Sequence, residues 1–451
     1  TVDVMPSQVT QVISHIADGN GWTTEIVLVN IDSVPATYSL TFHPDTGIGP
    51  SIVGLGTLPI YQGTIQPSGS QTLQTDGSSP VLNQGWAQVS SQQGISGTAI
   101  FRYNPTGQEA AVPLQLSGTN VLSFPFDNGS TATGVAVATP GTTLASQLNV
   151  YQRNSSGQQI NSGDPPQTVA ANGHTAWVLP VDSTQSNSLR GLAEVDPQTN
   201  TPVFGLGIRS HLNAFTSVES IQPTAASTKI VSHLADGLTW KTTIILVNTD
   251  TLPASFMVNF WREDGNPFPI SLVTGVSQPS VTGTIAPGGS YTIESLGSAG
   301  PCPGAASGIC EGWAEVISNQ SVGGTAIFSY QASGQEAAVP MLTRGATRIV
   351  LPYEVGTNNH ALGVALANTS TTQDAIITMT IRNEQGVVVT PPSVVTLLHH
   401  GHMAFDLQVP SNGAAIQRGV VEFDSNTEIF ALGVRSNGPA FTSIRSLSLL
   451  Q

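Results

Sequence analysis

Apolar and polar residues alternate with a period of two along much of the chain. Tyr38, Leu40 and Phe42 alternate with Thr37, Ser39 and Thr41, and Phe256, Val258 and Phe260 alternate with Ser255, Met257 and Asn259. That period places one set of side chains on each face of a pleated strand, so these segments predict half-buried strands. Turn sequences such as Pro67-Ser68-Gly69, Asn172-Gly173 and Pro287-Gly288-Gly289 separate the β-rich runs, and no window shows a capped apolar stripe of helical period. The expected fold class is all-β. About seven strands in each stretch of about 110 residues would match an immunoglobulin-like sandwich.

Self-comparison organises these strands. Ser14–Asn30, SHIADGNGWTTEIVLVN, returns as SHLADGLTWKTTIILVN at Ser232–Asn248. Gly97–Pro113, GTAIFRYNPTGQEAAVP, returns as GTAIFSYQASGQEAAVP at Gly324–Pro340, and GLGIRS at Gly205–Ser210 returns as ALGVRS at Ala431–Ser436. The offset grows from 220 at Gly63/Gly283 to 227 at Trp86/Trp313, so the second copy carries a longer loop there, the one containing both cysteines. Each half also divides in two: GWAQV at Gly85–Val89 resembles GLAEV at Gly191–Val195, and QPSGSQTL resembles AANGHTAW. The chain is therefore expected to hold an N-terminal extension at residues 1–11 and four sandwiches at 12–116, 117–222, 223–343 and 344–451.

The pattern H-x-A-D-G, then Trp, then a strand ending L-V-N, with a later G-T-A-I-F strand, resembles a repeated β-sandwich module of uncharacterised secreted bacterial proteins. It covers most of the chain, and most clearly the first and third quarters; the other two lack H-x-A-D-G and the first Trp. The resemblance implies the fold and export from the cell, and it carries over no catalytic residue.

Only 9% of the residues are charged, and the formal net charge is -15. A chain of that sign repels a phosphate backbone, which makes nucleic acid a poor partner. No run of 18 apolar residues occurs, so no membrane span is expected, and the start at Thr1 suits an exported chain whose signal has been removed. Cys302 and Cys310 share one short loop, CPGAASGIC, whose spacing suits a local disulfide and an oxidising compartment.

Candidate chemistry is sparse. No G-x-S-x-G, H-E-x-x-H, Walker, G-x-G-x-x-G, C-x-x-C or EF-hand pattern occurs, so no catalytic residue and no cofactor are expected. His15/Asp18 and His233/Asp236 repeat with the sandwich unit and are better explained as holding strand ends than as acid–base pairs. His399, His400 and His402 form the densest group of metal-ligand types, yet His402 matches His174 of the second quarter, so a solvated hairpin tip explains them as well. Glu194, Glu315 and Glu422 are the carboxylates a glycosidase would need, but their first-quarter counterpart is Gln88, and they read as an outward polar row. The repeated tryptophans Trp22/Trp240 and Trp86/Trp313 are expected in cores; Trp261, which replaces His43, points away from its core by alternation and is the one candidate ring for stacking on a sugar. Four sequons, Asn128, Asn154, Asn319 and Asn368, lie in polar stretches expected at the surface.

These readings favour a non-enzymatic extracellular structural protein, a filament or surface-layer subunit whose partner is a second copy of itself. Lys229 and Lys241 are the only lysines, so few strand edges carry the charge that usually blocks edge pairing. In the tail, Val2 and Val4 alternate with Thr1 and Asp3, and the segment resembles the donor strand of a bacterial pilus subunit. A head-to-tail contact of that kind makes an open filament unless the rotation closes. A carbohydrate-binding adhesin that engages surface glycans through Trp261 is the alternative.

Overall fold

The computed structural model describes residues 9–45, 49–129, 131–160, 166–180, 189–198, 201–211, 214–224, 227–298, 300, 308–357 and 359–448. The fold is all-β and antiparallel. In the first sandwich the strands are β1 (Val9–Asp18), β2 (Trp22–Asn30), β3 (Ala36–Pro44), β4 (Tyr61–Ile65), β5 (Ser70–Gln74), β6 (Asn83–Ser91), β7 (Ile95–Tyr103) and β8 (Gln108–Pro113). One sheet has the order β1-β6-β3-β4 and the facing sheet β5-β2-β7-β8. The same order recurs three more times along the chain. In the third sandwich Gln335–Leu342 also pairs across to Thr228–Asp236, fusing its two sheets into one, and in the fourth a single strand, Ile416–Asn437, serves both sheets.

The eight strands of the first sandwich exceed the seven expected, because the return strand β8 adds a hairpin after β7. The outer strands also differ from an immunoglobulin order. There the first strand lies beside the second and the last beside the sixth. Here β1 lies beside β6, and β7 lies beside β2, because the chain crosses to the other sheet after β6 instead of turning back as a hairpin.

Alternation translates directly into burial. Tyr38, Leu40, Phe256, Val258 and Phe260 are all buried, whereas Met257 is exposed on the opposite face. Each sandwich has its own apolar cluster, and each fully buried aliphatic or aromatic side chain contributes roughly 1.5–3 kcal/mol. The Asn ending L-V-N holds a turn: Asn30 Nδ2 donates to the carbonyls of Val34 (2.7 Å) and Ile65 (3.0 Å), and Asn248 and Asn368 do the same in their own sandwiches.

The four sandwiches close into a ring. Smaller apolar clusters join the first to the second (Val12, Trp86, Ala138), the second to the third (Leu192, Ile221, Ile245, Val247), the third to the fourth (Ile230, Trp313, Ala367, Phe430) and the fourth back to the first (Val420, Leu447, Val27, Val29). One contact repeats around it: the hairpin after the third strand of a sandwich docks on the turn before the fifth strand of the next. Ser290 N donates to Ser155 O (3.1 Å), His402 N to Glu263 O (3.1 Å) and Ser70 N to Glu384 O (3.0 Å). Glycine is required at these hairpins, since Gly157 and Gly386 have φ of +79° and +76° and a β-carbon there would lie 2.1 and 2.2 Å from the carbonyl oxygens of Pro287 and Pro67. The last strands of all four sandwiches meet at the centre, where Ala111, Ser217, Ala338 and Ser443 line a cavity of about 20 Å³.

Gly386→Ala is therefore expected to open the junction of the fourth and first sandwiches and to raise the radius of gyration in small-angle X-ray scattering. Gly54→Ala, at a similar φ of +79° but with nothing within 4 Å, carries only the left-handed backbone penalty of about 1–2 kcal/mol and should leave the scattering unchanged. Indistinguishable scattering from the two variants would contradict the closed ring.

Candidate functional site

The residues singled out in the repeats gather at the junctions between sandwiches. His15 Nδ1 lies 3.0 Å from His174 Nε2, joining the first and second sandwiches, and His233 Nδ1 lies 3.2 Å from His402 Nε2, joining the third and fourth. Neither His shares a proton with the Asp of its motif. Asp18 and Asp236 instead accept the backbone N–H of Gly77 and Gly297, each at 3.0 Å. H-x-A-D-G is thus two devices: a histidine facing the next sandwich and an aspartate fixing a turn. Burial pushes His233 down to about 4; burial and then the partner imidazole hold His15 and His402 well below their ordinary value.

The recurring tryptophans serve the same junctions. Trp86 Nε1 donates to Asn172 O (3.1 Å) and Trp313 Nε1 to His400 O (2.7 Å), so each ring pins the turn of the following sandwich. Trp22 stacks on Phe215 of the second sandwich at 5.8 Å, and Trp240 meets Phe441 of the fourth at 5.7 Å. Trp261 does point away from its own core, as alternation requires, but its ring is half-buried, 4.2 Å from His400 and 6.1 Å from Trp313. The junction covers what the sequence reads as a free ring.

The three histidines of LLHHGHM part company. His399 is exposed and pairs with Asp374 at 2.9 Å, His400 packs on Trp261, and His402 is buried against His233. Among the described residues no three His, Cys, Asp or Glu side chains are grouped to hold a metal ion. The carboxylates Glu194, Glu315 and Glu422 are in three different sandwiches. Glu194 pairs with Arg153 (2.9 Å), Glu422 with Arg348 and with Arg382 (3.2 Å), and Glu315 accepts from Asn259 (3.3 Å). Cys310 opens the strand Cys310–Ser318 and is disulfide-bonded; Cys302, and Val2 and Val4 of the tail, lie outside the described residues. Three of the four sequon asparagines, Asn128, Asn154 and Asn368, are buried, the last completely, which corrects the expectation of a surface position; Asn319 alone is exposed. The side-chain amides of Asn154 and Asn368 hold turns, so their polar surroundings do not mark solvent.

Sequence reasoning missed the principal charges. Arg435, 5% exposed, reaches Glu25 (2.9 Å) and Glu109 (3.2 Å) of the first sandwich and Glu354 (2.8 Å) of its own. The other junction between halves repeats the device, with Arg209 on Glu336 (2.9 Å) and Asp127 (3.7 Å) and Arg190 bridging Asp127 (3.1 Å) to Glu294 (2.9 Å). Burial opposes the charge on Arg435, and the three carboxylates outweigh it; burial likewise raises Glu25, but Arg435 and Arg418 together hold it below its ordinary value. The signal was present in the repeats: G-Q-E-A-A-V-P and G-[IV]-R-S strands keep one charge in both halves of a charge-poor chain.

Two sheet edges are covered by exit segments. Gln115 and Leu447, on the exit segments, exchange backbone hydrogen bonds with Val12 and Val350, closing the edges of the first strands. The rim strands β4, Ser280–Ile285 and Ser393–Leu397 stand at the ends of their sheets, with no strand on their outer side among the described residues. None carries a charged residue, and on the last, Val394 is 63% exposed beside exposed Ile376.

No family model matches the chain, and no curated protein matches it.

Two outcomes test the junctions. Arg435→Met should cost about 3–5 kcal/mol in denaturant unfolding, because it leaves buried carboxylates uncompensated; a loss under 1 kcal/mol would remove Arg435 from that role. His233, lowered in the folded state, resists protonation below the unfolded value of about 6.5, so its contribution is complete above that pH and declines as pH falls towards 4. Between pH 7.5 and 5 the wild type should lose about 2 kcal/mol more than His233→Gln, and parallel urea curves for the two proteins would refute it.

Proposed function

We propose that this is a non-enzymatic extracellular structural protein, a filament or surface-layer subunit that joins copies of itself by strand addition at its rim. The observation that carries the reading is the set of uncharged rim strands whose outer edges meet no strand among the described residues, of which Ser393–Leu397 with its exposed Val394 is the most apolar. Exposed edges of this kind are templates for another strand, and soluble proteins ordinarily protect them with charge. The donor in this reading is the tail, with Val2 and Val4 directed into the acceptor. The ring's internal head-to-tail surfaces are already occupied, so growth has to proceed from the rim.

Two further features support the assignment. The repeated His, Trp, Arg and Glu side chains are engaged in holding sandwiches together, and Cys310 is disulfide-bonded, as suits an oxidising compartment outside the cell. The surface-glycan alternative rests on Trp261, whose ring is half-buried in a junction, and this favours the assembly reading over it.

Negative-stain electron microscopy of the full chain across a concentration series is expected to reveal regular filaments or sheets. Deleting residues 1–8, or placing a charge on the acceptor with Val394→Lys, should abolish them and leave the ring folded. Isolated particles at every concentration would overturn self-assembly, and filaments that survive both changes would overturn the donor and acceptor named here.

A further inference from the structure

The two junctions within halves are built alike, yet they differ in one place. Between the third and fourth sandwiches lies a cleft of about 380 Å³, at the small end of ligand pockets. Trp240, Phe328, Phe405 and Phe441 line it, with the ring centroids of Trp240, Phe328 and Phe441 5.6–5.7 Å apart. The equivalent positions in the first half carry larger side chains at two points, Trp177 for Phe405 and Ile208 for Val434. The second junction has exchanged volume for space.

It has also gained charge. Glu311 and Asp406 line the cleft where the first half has Gln84 and Val178. Glu263 stands near them; its counterpart Asp45 is committed to His174 at 3.0 Å, whereas the buried Nδ1 of His402 has no partner. Burial, and then the charges of Glu263 and Asp406, raise Glu311 to about 7, and no basic group opposes the shift. On the flanking strands Asp236 is paired with Gly297, and Arg262 lies over Phe268 at 5.5 Å. His233 lines the cleft too, more than nine-tenths buried, with Nδ1 on His402.

We propose that this cleft is a binding site for a small organic cation, an alkylammonium or quaternary ammonium ion, held against the faces of Trp240 and Phe441 with Glu311 and Asp406 supplying the opposite charge. Aromatic faces present their negative quadrupole to such an ion, and a ligand with an apolar shell matches the walls better than a hydrated metal would. A neutral sugar could stack on the same rings but would leave the acidic group without a counter-charge. The site is separate from the rim strands, so it stands or falls independently of assembly.

Isothermal titration of the full-length protein with choline, its uncharged isostere 3,3-dimethylbutan-1-ol and cellobiose tests the proposal. Choline should bind at least about tenfold more tightly than the isostere, with no heat from cellobiose. Cation binding favours ionised Glu311, so choline affinity should rise several-fold between pH 6 and 8, with proton release near pH 7. Glu311→Gln and Asp406→Val borrow the residues of the first junction and so keep a packing the chain already uses; each should weaken choline about tenfold at pH 8, with thermal unfolding as the check on folding. Equal binding of choline and its isostere, binding of cellobiose alone, or no binding at pH 8 would each overturn the assignment.

Discussion

A hairpin that seats its glycine under a carbonyl of the next sandwich is the contact on which the architecture depends. It is heterologous: one end of the unit docks on a different surface of its neighbour. Contacts of that class generate either rings or open helices, according to the rotation each introduces. Here four rotations complete a turn, and a single chain supplies every member. The approach at Gly157 and Gly386 is too close for any β-carbon, so the angle between sandwiches is set by backbone against backbone.

Closure explains where this charge-poor chain keeps its charges. The last strands converge on the centre, and there Arg209 and Arg435 cross between halves to buried carboxylates. Buried ion pairs rarely add much stability over apolar packing, but a mispaired one is costly. An Arg that is satisfied only when the correct glutamate of another sandwich faces it selects register. That is a useful property in a molecule whose four units are alike enough to pair wrongly.

The strands, turns and internal repeat were legible in the sequence because they are local: Leu40 and Phe260 declare their faces by alternation, and SHIADG and SHLADG declare the duplication. The ring was not legible. Trp86 and His15 read as core or turn residues, because a repeated apolar position looks the same whether it faces its own sandwich or the next. Trp261 shows the limit of alternation, which gives the side of the sheet and is silent about what covers that side. Asn368 shows the limit of polarity, since a buried amide that holds a turn has the same letters around it as an exposed one. The strand order was hidden for a further reason: nothing local says whether the chain after β6 turns back or crosses over.

The ring also changes what a single junction must withstand. In a linear string of domains, a parted junction separates its halves, and the ends diffuse over the full reach of the linkers. In a closed circuit the other three junctions hold the parted faces within ångströms of one another, at an effective concentration that no dilution lowers. Momentary opening is followed by reclosure of the same faces, and lasting separation needs two junctions to fail together. Such a molecule would resist proteases and dilution through its circuit topology, even with junctions that are individually weak.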